Sequence, residues 1–297
     1  MKIFKIYKSN SPLNVFFKLF LLVMFLLTPT HNAWASDTNQ ADEAIYIVQA
    51  GDTLNSIALR FGVSPEDIES TNTISDPNAL DIGQRLIIPG LEGISGLLSS
   101  ETVPFGSSLT FLTRQYRADE NDLIFLNRLS SPSETIAGVP FIIPIDEDRD
   151  PLVPLDLVSV SETFMEFAIR KSTSPWDLLA ANQLSGTWDI LPGETLFSLA
   201  NDNVPSYSPI PNVSEVQFNN LPIIQGETLE IEIVSNLEAE FSGIFNEETL
   251  NFFTDDGESY YSFHGIHALE EPGVYPLEIS MVTSEGVRHE FEQLVLL

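Results

Sequence analysis

The sequence predicts an α+β chain: three βααβ units in tandem, the third degenerate, followed by an all-β sandwich. Two observations predict this. The segment from Val48 to Pro89 recurs 55 residues later without a gap, and a second step of 55 yields a worn third copy. Beyond Val213 the pattern changes to apolar–polar alternation broken by turn residues, which marks strands rather than helices. A chain of 297 residues is also long for one hydrophobic core, so several domains are expected.

The first 35 residues stand outside that fold. Lys2, Lys5, Lys8 and Lys18 precede the apolar run Leu19 to Leu27, and Ala33-Trp34-Ala35 follows the helix breaker Pro29. A basic region, a short apolar run and a small-residue site read as a secretory signal peptide, residues 1–35, cut before Ser36 and followed by a linker, 36–44. The apolar run falls well short of the roughly 20 residues that a bilayer crossing needs, so no stable span is expected after cleavage.

Charge and cysteine content then exclude whole classes of function. Acids number 43 against 13 bases, a net charge of −30, and four of those bases lie in the leader. With no basic patch to neutralise phosphates, nucleic acid is excluded as a partner and anionic lipid is disfavoured. The absence of cysteine removes disulfides, thiolate metal sites and thiol nucleophiles, so each domain holds together by packing.

Within the first unit, residues 45–90, each element has a local cause. Tyr46 to Gln49 is a short β-rich run ending at the turn residue Gly51. Asp52 or Thr53 caps the helix that follows, where Leu54, Ile57, Ala58 and Phe61 form one apolar stripe. Gly62 ends it. Ser64-Pro65-Glu66-Asp67 opens a second helix with a cap, a proline at the first position and acids against the helix dipole; Asn72 closes it. After Gly83, Arg85 to Ile88 forms the second strand, stopped by Pro89. The two strands are expected to pair antiparallel beneath the helices.

The second unit, residues 101–145, keeps Val103, Gly106, Leu109, Asn127, Gly138 and Pro144 in register, with Ser107 in place of Asp52 and Pro104 inside the expected strand. The third, 157–200, keeps Val158, Phe164, Asn182 and Gly193, but Ser161 replaces the turn glycine, Lys171 the helix aromatic and Leu199 the final proline. Short linkers, Gly90 to Glu101 and Asp146 to Leu157, are expected between units, and a proline-bearing one at 201–212 before the sandwich, 213–297. In that last domain strands are expected over Thr228–Val234, Phe241–Phe245, Leu250–Phe253, Tyr260–Phe263, Val274–Val282 and Val287–Leu296.

The run Tyr46-Ile-Val-Gln-Ala-Gly-Asp-Thr-Leu-Asn-Ser-Ile-Ala58, then Asn72, then Gly83-Gln-Arg-Leu-Ile-Ile-Pro89, resembles the lysin-motif (LysM) family. That resemblance implies a βααβ fold binding N-acetylglucosamine-containing chains, peptidoglycan or chitin, in a shallow groove. On one side of the groove it places Gly51, Asp52, Thr53 and Leu54, and on the other Asn72, Thr73, Ile74 and Ser75. The same residues also have a plain structural reading, as a turn, a helix cap and a helix stop. Linked copies would raise affinity through effective concentration. Trp176 and Trp188 of the third unit are available either as sugar-stacking rings or as core anchors.

The sandwich resembles the immunoglobulin-like module of LysM-containing zinc endopeptidases of the lysostaphin type. The likeness lies in Gln225-Gly226-Glu-Thr228, Gly243-x-Phe245, Gly265-Ile-His-Ala-Leu269 and Glu271-Pro-Gly-Val-Tyr-Pro-Leu277. The peptidase domain itself is expected to be missing. Outside the leader, only His264, His267 and His289 remain, in neither H-x-H nor H-x-x-x-D spacing, so no metal and no cofactor are expected. No nucleophile or phosphate-loop signature is present. The resulting expectation is an exported, non-catalytic protein of a bacterial cell envelope that binds N-acetylglucosamine glycan, peptidoglycan foremost. Two alternatives stay open: the targeting part of a peptidoglycan endopeptidase whose catalytic domain is lost or encoded separately, and a structural or adhesive spacer.

Overall fold

The computed structural model describes residues 43–200 and 207–297; the signal peptide expected at 1–35, most of the linker expected at 36–44, and residues 201–206 lie outside the described residues. In the first unit, β1 (Ala44–Ile47) pairs antiparallel with β2 (Arg85–Ile87), Tyr46 facing Leu86. Between them run α1 (Leu54–Phe61) and α2 (Pro65–Asn72). Thr53 caps α1: its hydroxyl accepts from the Ser56 amide, while the Ser56 hydroxyl accepts from the Thr53 amide. Gly62 ends α1 at φ 70°, a left-handed conformation that glycine adopts without steric cost. Ser64 caps α2 and Thr73 closes it at φ 52°. Tyr46, Leu54, Ile57, Phe61, Ile68 and Leu86 bury into one core beneath the two helices.

The same element order follows twice more. β3 (Gly96–Thr102), α3 (Leu109–Tyr116), α4 (Glu120–Asn127) and β4 (Pro140–Ile145) make the second unit. β5 (Leu152–Leu157), α5 (Phe164–Arg170), α6 (Pro175–Ala181) and β6 (Thr195–Leu199) make the third. Both segments expected as linkers carry strand instead. β3 begins at Gly96 because the free edge of β1 offers unpaired backbone groups, and Gly96, Leu97 and Leu98 take them up in parallel register with Ala44, Ile45 and Tyr46. The first two units therefore share one sheet, ordered β2-β1-β3-β4. β5 likewise occupies Leu152–Leu157 and pairs with β6. Pro104 falls just beyond β3, where it breaks no ladder bond.

The remainder is a two-sheet sandwich of seven strands: β7 (Val213–Phe218), β8 (Thr228–Ser235), β9 (Ala239–Phe245), β10 (Glu248–Asn251), β11 (Ser259–Gly265), β12 (Val274–Thr283) and β13 (Arg288–Leu296). One sheet is ordered β10-β9-β12-β13, the other β11-β8-β7. Alternating residues Leu229, Ile231 and Ile233 meet Phe241, Phe245, Leu277, Ile279 and Met281 between them. Phe105 and Ala137, from the second unit, are buried in this same core. No helix among the described residues is long and apolar enough to cross a membrane.

Candidate functional site

The eight residues singled out in the first unit fall into two groups. Asp52 is committed inward. Its carboxylate accepts from the Tyr46 hydroxyl at 2.6 Å and the Gln49 amide at 2.8 Å, and pairs with Arg60 at 3.1 Å, leaving its side chain 5% exposed. Arg60 also donates to the Tyr46 hydroxyl at 2.6 Å. Burial, and next the hydrogen bond that its hydroxyl donates to the Asp52 carboxylate, raise the Tyr46 pKa. Leu54 is buried. Asn72 is equally committed: its carboxamide donates to the carbonyls of Ile68 and Ile87 and accepts from the Ile87 amide. In contrast, Gly51, Thr53, Thr73 and Ser75 are exposed, Ile74 is half-buried, and a Cβ placed on Gly51 would meet nothing within 4 Å.

The two rims are anchored to adjacent rungs of one ladder. Asp52 is held by Tyr46, which pairs with Leu86; Asn72 is held by Ile87, which pairs with Ile45. What the rims leave at the surface is backbone and short side chains, which suit a neutral, amide-bearing ligand. Tyr46 and Arg60 were missed from sequence. Their signal was there: the acid–arginine pair Asp52–Arg60 reappears in register as Glu162–Arg170, where Arg170 donates to Glu162 at 2.7 Å. The middle unit carries Ser107 and Gln115 instead, and leaves Ser107 Oγ and Gln115 Oε1 buried without a partner.

The matching turn of the second unit is covered by the sandwich. Gln293 of β13 accepts from the Gly106 amide at 2.6 Å and donates to the carbonyls of Ser107 and Thr135, each at 3.1 Å. Tyr207 donates to the Gly106 carbonyl, and a Cβ on Gly106 would lie 2.9 Å from Pro209. Beside it, Ala137 exchanges backbone hydrogen bonds with Leu294 and Leu296, both 2.9 Å, and Phe105 packs on Phe218 and Phe291. In the third unit Ser161 holds the turn at φ 67°. Trp176 and Trp188 are 77% and 79% exposed, so neither is a core anchor; Trp188 lies over Gly186.

His264 and His267 have different neighbours. His264 stacks edge-on to Phe245 near Glu248, while His267 accepts from the Leu269 amide. No cluster of three or more potential ligands occurs among the described residues.

The LysM domain model matches residues 46–89, the span from Tyr46 of β1 to the proline after β2. Residues 46–89 are a LysM domain. The chain is 28% identical over 178 residues to the LysM domain-containing GPI-anchored protein 2 of Arabidopsis thaliana, covering 57% of this chain and 49% of that one. It is 32% identical over 95 residues to the N-acetylmuramoyl-L-alanine amidase XlyA of Bacillus subtilis, covering 32% and 31%. To the chitin elicitor-binding protein of Oryza sativa it is 28% identical over 119 residues, covering 37% and 33%. The chain thus spans about half the length of the first of these relatives and about a third of the others. The LysM homology supports glycan binding in general for this chain.

Proposed function

We propose that this chain is an exported, non-catalytic cell-envelope protein that binds N-acetylglucosamine-containing glycan, peptidoglycan foremost, through its LysM domain. The carrying observation is the open rim of the first unit: Gly51, Thr53, Thr73 and Ser75 at the surface, with Asp52, Leu54 and Asn72 shaping them from beneath. An N-acetyl group offers one amide donor, one acceptor and a methyl, which backbone groups at helix ends and the half-buried Ile74 can read without charge. Relatives named for chitin elicitor binding and for an amidase of muramoyl peptides support that ligand class.

On this reading the second and third units are diverged copies of the LysM domain. The second serves as the seat of the sandwich, because Gln293 and Pro209 fill the place a sugar would take. Binding then comes from the first unit, with no avidity contributed by the second. The amidase relative also favours a second reading, in which the chain delivers a separately encoded peptidoglycan hydrolase to the wall.

Sedimentation of the mature chain with insoluble peptidoglycan tests the proposal. Ser75→Trp, on an exposed rim position, is expected to abolish retention while leaving the melting temperature unchanged. Retention of wild type no greater than that of Ser75→Trp, or insensitivity to competing chito-oligosaccharide, overturns it. Wall-gel zymography with and without an added amidase separates the second reading.

A further inference from the structure

We propose that the outer face of the β11-β8-β7 sheet is a second polysaccharide-binding surface, built for a neutral pyranose chain. Along β11, Tyr260 and Ser262 point into the core, so Tyr261 and Phe263 project outward. Phe253 joins them through reciprocal backbone hydrogen bonds with Tyr261, 3.0 and 2.9 Å. Its ring centre lies 6.2 Å from Tyr261 and 5.8 Å from Phe263, with interplanar angles of 38° and 34°. Phe253 and Phe263 are 55% and 54% exposed. Single exposed apolar side chains are ordinary on protein surfaces, whereas three contiguous rings on one sheet face mark an interaction site.

The groups beside the rings specify the occupant. In register, Phe263 stands opposite Glu230 and Tyr261 opposite Glu232, and Gln217 of β7 follows next to Glu232. The Tyr261 hydroxyl donates to Glu232 at 2.8 Å, and the Gln217 amide donates to Glu215. A pyranose presents an apolar C–H face and a rim of hydroxyls, so it stacks on the rings while its hydroxyls donate to the carboxylates. Strands β7, β8 and β11 carry no lysine or arginine, and three glutamates repel anions. A sulfated, phosphorylated or uronic polymer is therefore disfavoured, and a neutral one fits. This site is independent of the LysM rim.

Affinity electrophoresis of the full mature chain through gels containing glycol chitin or hydroxyethylcellulose tests the assignment. Phe253→Ala/Phe263→Ala is set in both the wild-type and Ser75→Trp backgrounds, with Phe253→Tyr/Phe263→Tyr as the conservative partner. The alanine pair is expected to weaken retardation roughly tenfold in both backgrounds, and the tyrosine pair to restore it. Near-ultraviolet circular dichroism confirms that the sandwich stays folded. Unchanged mobility of the alanine pair in both polymers overturns the proposal. So does a loss confined to binding of oligolysine, which would assign the face to a cationic partner. Loss on the alanine pair with no effect of Ser75→Trp keeps this surface and removes the LysM reading instead.

Discussion

The carboxamide of Asn72 grips both backbone groups of Ile87, accepting from its amide at 2.7 Å and donating to its carbonyl at 2.8 Å. The same side chain donates to the Ile68 carbonyl one turn back in α2. One residue thus ties the end of a helix to a strand it never touches by backbone. Asn127 with Ile142 and Asn182 with Phe197 repeat the arrangement, every contact between 2.6 and 3.0 Å. Only a carboxamide supplies donor and acceptor at that spacing, which is why an aspartate would not serve.

Asn72→Ala and Asn72→Asp are therefore expected to destabilise the LysM domain by about 2 kcal/mol or more, because each leaves backbone groups of β2 without partners. Hydrogen exchange at the Ile87 amide, slow in wild type and fast in either variant, checks this. Loss of glycan retention in these variants would track unfolding of the unit rather than loss of a sugar contact.

Ser161 holds a left-handed turn at φ 67° where the first two units have Gly51 and Gly106. A side chain there costs roughly 1 kcal/mol relative to glycine. Ser161→Gly is expected to raise the melting temperature, and differential scanning calorimetry measures it.

Acid should loosen the third unit. Hydrogen bonding from the Arg170 guanidinium holds the Glu162 carboxyl below its usual range. A carboxyl with a depressed folded pKa adds stability above its unfolded value, about 4.5, which is lost as pH falls through the folded value. Urea midpoints between pH 6 and 3 should fall for wild type, and less steeply for Glu162→Gln.

Alkali acts on the other side. Burial pushes Tyr207 up to about 12, and likewise Tyr116, with Glu101 adding to it. A raised folded pKa means that stability is complete below the unfolded value near 10 and falls as pH rises beyond it. Tyr207→Phe should flatten that decline above pH 10, followed by circular dichroism.

Gln293 adds three hydrogen bonds to the seam between the second unit and the sandwich, beside the two that Ala137 exchanges with Leu294 and Leu296. Gln293→Ala is expected to speed exchange of the Gly106 amide and to lower the melting temperature, since buried backbone groups lose their partners.

Much of the architecture was legible because its causes are local. The stripe Leu54, Ile57, Ala58, Phe61, the caps Thr53 and Ser64, and the alternation through Thr228–Val234 each follow from backbone geometry within a few residues, and all appear where expected. The 55-residue register placed Asn127 and Asn182 with Asn72. Asn72 does end α2 as expected, but periodicity shows where a residue sits and not what its side chain grips fifteen residues on.

Contacts between distant segments were decided only on folding. Gln293 meets Gly106 across 187 residues, and no pattern near either one announces the other. The parallel join of β3 to β1 turned the first expected linker into sheet, because an open strand edge takes whatever backbone lies nearest. Asp52, read as a groove residue, was drawn inward by Tyr46 and Arg60, since a carboxylate leaving water needs donors around it. Local hydrophobic order is enough to specify the units. Which of their surfaces stay open depends on how the finished units pack, a property of the assembled chain.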